Sequence, residues 1–160
     1  MIIIPHYSRL FHFIPISSMN NCFSLPGIKS IACINALELP LDLGMVAVSG
    51  TPLALMIPFT NIPLTGEASC ESTRTNKDGS GNDSVELSFQ TLMSIPGYMP
   101  LAFLVTDVNN RSYLIGTHEK PWPYIESSQA FGSPDGESSI TTYTISYKAP
   151  KAMIPCTCAL

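Results

Sequence analysis

The chain has 160 residues, 45% apolar and 12% charged, with a net charge of −4; that length suits one domain that buries a substantial core without metals or disulfides. Its basic residues are scattered and form no run, which excludes a phosphate-neutralising surface and with it direct nucleic-acid binding. Fourteen prolines, spread through nearly every segment, break any long helical window and point to an all-β chain.

Met1–Ser18 (MIIIPHYSRLFHFIPISS) is apolar and aromatic and differs in composition from the rest of the chain. It lacks the positive start and small-residue cleavage site of a signal peptide, and it is too short and too interrupted by Pro5 and Pro15 to span a membrane. Two readings stand: an extended arm that needs a partner surface, or an upstream artefact with translation beginning at Met19. The main domain is expected over residues 19–150. Pro26-Gly27 signals a turn, Ser30–Leu37 reads as a first core strand, and Leu43–Ser49 and Pro52–Phe59 read as strands apolar enough to be buried on two faces. Pro52 and Pro58 confine the latter to an edge.

Gly66–Thr75 and Val85–Thr91 read as a hairpin. The second alternates cleanly, with Val85, Leu87 and Phe89 inward. The polar stretch between them, Asn76–Ser84 (NKDGSGNDS), reads as a solvated loop; its oxygens lack the closing bidentate Glu of a calcium loop. Leu92–Pro100 carries Met93, Tyr98 and Met99 on a Pro-Gly turn, which is either a contact tip or a lid over one end of the core.

Leu101–Val105 is a continuous apolar run, hence a central strand. Val108–Asn110 turns it into Arg111–Thr117. Lys120–Tyr124 holds Trp122, the only tryptophan, between Pro121 and Pro123, as a core plug or an interface anchor. Ile125–Phe131, the Gly132–Gly136 turn and the alternating Ser139–Lys148 complete the pattern. Residues 151–160 read as a Pro-punctuated tail. The expected fold is an antiparallel β-sandwich or barrel of about eight strands.

Five cysteines, Cys22, Cys33, Cys70, Cys156 and Cys158, form no C-x-x-C pair and match reduced, cytosolic usage, so neither a structural zinc nor a redox motif is expected. His118, the one histidine beyond the N-terminal stretch, has no evident orienter, since Glu119 points the other way on an extended chain. Asp107, Glu119, Glu126, Asp135 and Glu137 fall at turns or outward positions where solvation explains them. No nucleotide-binding glycine motif occurs. The expectation is no enzyme, no catalytic set, no cofactor and no metal. Charge this sparse implies a surface covered by other subunits or one rich in Ser, Thr and Asn.

One stretch carries a signature. Leu104–Pro150 runs through a strand ending Thr106-Asp107, a polar turn and Tyr113-Leu114-Ile115-Gly116-Thr117. Beyond these come a Pro121-Trp122-Pro123-Tyr124 segment, a Pro134-Asp135-Gly136 loop and a Thr-rich strand. It resembles the C-terminal part of small proteins encoded among virion structural genes in tailed phages and prophages of gut Bacteroidetes, and Leu25-Pro26-Gly27-Ile28 fits the same group. The resemblance implies a β-rich, non-enzymatic virion component of the tail or connector. It would assemble in the host cytoplasm by self-association and with other virion proteins, away from membranes. Met93, Tyr98, Met99, Trp122 and Tyr124 are the expected interface residues. The alternative is a ligand- or carbohydrate-binding β-sandwich with Trp122, Tyr124 and Tyr98 as an aromatic platform.

Overall fold

A computed structural model of the chain describes residues 27–132, 134, 136 and 139–158. The N-terminal readings, Cys22, Pro26 and parts of the Gly132–Gly136 turn (Ser133 and Asp135 among them) lie outside the described residues.

The strands are β1 (Ile28–Asn35), β2 (Leu53–Leu55), β3 (Thr60–Ile62), β4 (Ser69–Lys77), β5 (Ser80–Thr91), β6 (Leu101–Asp107), β7 (Ser112–Ile115), β8 (Tyr124–Ala130), β9 (Ile140–Ala149) and β10 (Met153–Cys158). They form a six-stranded sheet in the order β2-β10-β7-β6-β1-β3 and a four-stranded sheet in the order β4-β5-β9-β8. All neighbours are antiparallel except β10 and β2. This is the expected all-β sandwich, with ten strands among the described residues in place of about eight.

Alternation builds the space between the sheets. Val85, Leu87 and Phe89 of β5 lie opposite Tyr147, Ile145 and Tyr143 of β9, all six buried. The Phe89 and Tyr143 rings stack with centroids 5.8 Å apart. Ile31 and Cys33 of β1, Phe103 and Val105 of β6 and Ile115 of β7 close this layer from the other sheet. The opposite face of the six-stranded sheet presents Ile34, Ala102, Leu104, Leu114, Ile154 and Cys156 to a second apolar layer, completed by Leu39, Leu43, Ala47 and Leu55. β6 is therefore buried on both faces, as its unbroken apolar run predicts, and it sits between β7 and β1.

Four expectations are corrected. Leu43–Ser49 is not a strand: Leu43–Val48 is a short helix, α1, whose buried residues Leu43 and Ala47 are one helical turn apart. Its solvent face is also apolar, with Met45 78% exposed, so the 3.6-residue period is invisible in the sequence. Pro52–Phe59 yields only the three residues of β2, and a separate strand, β3, follows at Thr60–Ile62. Asn76–Ser84 is not a loop either: the β4–β5 ladder runs on to Lys77 opposite Ser80, leaving Asp78 and Gly79 as the turn, with φ of 50° and 79°. Asp-Gly suits the two positive φ angles of a tight hairpin, and a ladder extending beyond the core needs no apolar side chains. Finally, the expected tail contributes β10, which lies inside the six-stranded sheet.

The link from β5 to β6 is tied down by polar groups. Thr91, fully buried, donates from Oγ1 to the Pro63 carbonyl at 2.7 Å and accepts from the Met93 N–H at 3.0 Å. Thr91→Val keeps the shape but strands both partners. It is expected to lower stability by about 1–3 kcal/mol in a urea titration; an unchanged midpoint would refute this.

Candidate functional site

The segment after β5 divides in two. Ile95 is buried, and its N–H donates to the Tyr143 hydroxyl at 3.0 Å, so this part lies as a lid on the sandwich. Beyond it, Gly97, Tyr98 and Met99 face outward, with Tyr98 89% exposed. The chain is caught again where the Ala36 N–H donates to the Pro100 carbonyl at 2.8 Å.

The facing wall is the connection from β7 to β8. The Trp122 indole N–H donates to the His118 carbonyl at 3.2 Å, and the Lys120 ammonium stands 5.1 Å from the centre of its ring. Trp122 is half-buried against the second apolar layer. The His118 Nδ1 lies 2.8 Å from the Leu39 carbonyl; a carbonyl only accepts, so Nδ1 carries the proton. His118 thus clips this connection onto the segment before α1. Tyr124 opens β8 and is 68% exposed.

The two walls enclose a depression of about 610 Å³, lined by Tyr98, Met99, Pro121, Trp122, Pro123 and Tyr124 among others, with Lys120 the one charged residue among the described lining residues. Four of the five expected interface residues come together here. The fifth, Met93, is half-buried and packs against the layer between the sheets. A concavity of two exposed phenols, a thioether and proline rings favours an apolar or aromatic side chain of a partner, with the hydroxyls available at the rim.

A second concavity of about 620 Å³ was not foreseen. It lies on the outer side of the six-stranded sheet and is lined by Lys29, Leu104, Arg111, Tyr113, Cys156 and Thr157, among others. Lys29 Nζ donates to Asn110 Oδ1 at 2.8 Å at its margin, and the Thr106 and Ser112 hydroxyls pair at 3.0 Å across the strands. It was hidden because one wall is built by β10, which reads as a tail.

Two carboxylates are held within the fold. Asp107 is not solvated at its turn, as expected, but buried, and its Oδ1 accepts from the Asn109 and Arg111 N–H groups at 2.9 and 2.7 Å. An Asx turn places such a carboxylate over its own backbone. Asp83 lies across the β4–β5 ladder from Arg74, at 3.8 Å from its Nε. Among the described residues no three His, Cys, Asp or Glu side chains are grouped to hold a metal, and no helix is long and apolar enough to cross a membrane.

The thiols of Cys33 and Cys70 are both pushed up by burial. That of Cys70, which also feels the Glu71 carboxylate, moves from the ordinary 9.0 to about 11. Both are expected to resist alkylation at pH 8 in the native state and to react at the ordinary rate in denaturant. The folded chain keeps the Cys70 proton after the unfolded chain has lost its own. The resulting contribution is complete below pH 9.0 and fades as pH rises through about 11. Urea midpoints of the wild type are therefore expected to fall further than those of Cys70→Ser across that interval; parallel slopes would refute it.

No protein-family model, curated protein or solved structure matches this chain.

Proposed function

We propose that the chain is a non-catalytic structural protein that works by assembling with other proteins, as a tail or connector component of a phage particle. The observation that carries the assembly reading is the depression at Tyr98, Met99, Trp122 and Tyr124, an exposed aromatic concavity on a chain with only 12% charged residues. Solvent-exposed aromatics clustered in a concavity are the usual anchors of protein contacts. The particle reading adds the resemblance of Leu104–Pro150 to virion structural proteins, a stretch that covers most of β6 and all of β7, β8 and β9. Assembly in the host cytoplasm and contacts with other virion proteins are part of that reading.

A carbohydrate-binding role would use Trp122 with Tyr98 and Tyr124 as a stacking platform. The exposure of both tyrosines favours it. Against it, Trp122 is a half-buried wall whose N–H is engaged by His118 and whose ring lies under Lys120. The test is composition. Purified particles from the organism that carries this gene are expected to contain the chain in many copies each. Its presence in cells but absence from the particles overturns the particle reading. Glycan-array binding lost in Tyr124→Ala would transfer the site to the alternative.

A further inference from the structure

Among the described residues the sandwich has four sheet edges, and they are not equally guarded. β2 and β3 are three residues each, too short to recruit a strand. β4 has nine residues but carries Glu71, Arg74 and Lys77 along its edge. β8 has seven residues, roughly 23 Å of main chain at about 3.3 Å per residue. It contains no proline or lysine and a single charge, Glu126. It is bounded by two exposed aromatics, Tyr124 at its start and Phe131, 82% exposed, just past its end. Among the described residues no strand pairs with its outer side, and an edge of this length is a template for another strand.

We infer that two copies of this chain pair antiparallel along β8 about a twofold axis at Ser127, joining their four-stranded sheets into one of eight strands. The inference rests on the assembly reading and names one partner for the surface beside the depression. The register is set by the side chains. Centred on Ser127, all seven residues pair: Glu126 opposes Ser128, Ile125 opposes Gln129, and Tyr124 opposes Ala130. No like charges meet. Centred on Glu126, the two carboxylates face each other, at a cost. Centred on Ser128, Tyr124 falls outside the ladder. The Ser127 register also sets Phe131 of one copy opposite Pro123 of the other, a wall of the depression, which gives that concavity an apolar occupant.

Ser128 tests the pairing because it is exposed and pairs with Thr142 of β9 on one flank, leaving the other flank toward the proposed partner strand. In sedimentation-velocity runs on the full chain, the wild type is expected to be a dimer at micromolar concentration. Ser128→Glu sets two carboxylate pairs across the axis and is expected to weaken the dimer about tenfold. Ser128→Lys places opposite charges there and is expected to keep or tighten it. Thermal melts matching the wild type establish that both variants fold. A monomeric wild type, a dimer indifferent to Ser128→Glu, or equal weakening by Glu and Lys overturns the pairing. None of these bears on whether the chain is found in particles. Conversely, particles lacking the chain would remove the assembly role even if a β8 dimer forms.

Discussion

Removal of residues 153–160 is expected to abolish cooperative folding. β10 lies between β7 and β2, pairing Met153 with Ile115, Ile154 with Leu114 and Cys156 with Ser112 on one flank, and Cys156 with Leu53 on the other. Ile154 is fully buried in the layer that also holds Leu43, Leu55, Leu104 and Leu114. Ile154→Ala alone is expected to cost about 2–5 kcal/mol. The truncation adds the loss of the Cys156 side chain, opens β7 as an edge and leaves β2 with no partner strand. Against the roughly 5–15 kcal/mol that holds an ordinary domain together, the sum leaves little or no margin. Circular dichroism of the truncated chain is expected to show no cooperative thermal transition. A sharp transition near the wild-type midpoint would mean that β10 is dispensable.

That segment also marks the limit of what the sequence discloses. β5, β6 and β9 are legible because burial imposes a pattern: alternation where one face is covered, an unbroken apolar run where both are. β10 is not, because Pro155 interrupts it shortly after Pro150, and its pairing with β2 begins only at Cys156. α1 is hidden by apolar residues on its solvent face as well as its buried one. The β4–β5 hairpin is understated because its far end is held by main-chain hydrogen bonds, which leave no mark on side-chain polarity. At the site, Tyr98, Met99, Trp122 and Tyr124 stand out as large apolar residues in turns. Their meeting depends on the path from β5 through β6 and β7 to β8, which no local pattern encodes. Phe131 reads in the sequence as the last residue of a strand, Ile125–Phe131, whereas β8 ends at Ala130 and the ring is exposed.

Phe103→Ala is expected to lower stability by about 3–5 kcal/mol, at the upper end of what a single truncation costs in the layer between the sheets. Phe103 has no solvent exposure and sits at mid-length of β6, opposite Cys33 of β1 on one side and Ile115 of β7 on the other. Rigid neighbours on both flanks limit how far the cavity can collapse, and residual volume sets the cost. The comparison that gives the measurement its meaning is at the depression. Tyr98→Ala and Tyr124→Ala remove rings that are mostly in water, so each is expected to move the urea midpoint by no more than about 0.5 kcal/mol in equivalent stability. Fold and contact surface are thus separable by mutation: the first variant should fail with heat or urea, the other two only in association. If Tyr124→Ala destabilised the isolated monomer as Phe103→Ala does, the depression would be part of the core, and its aromatic residues would need no partner to explain them.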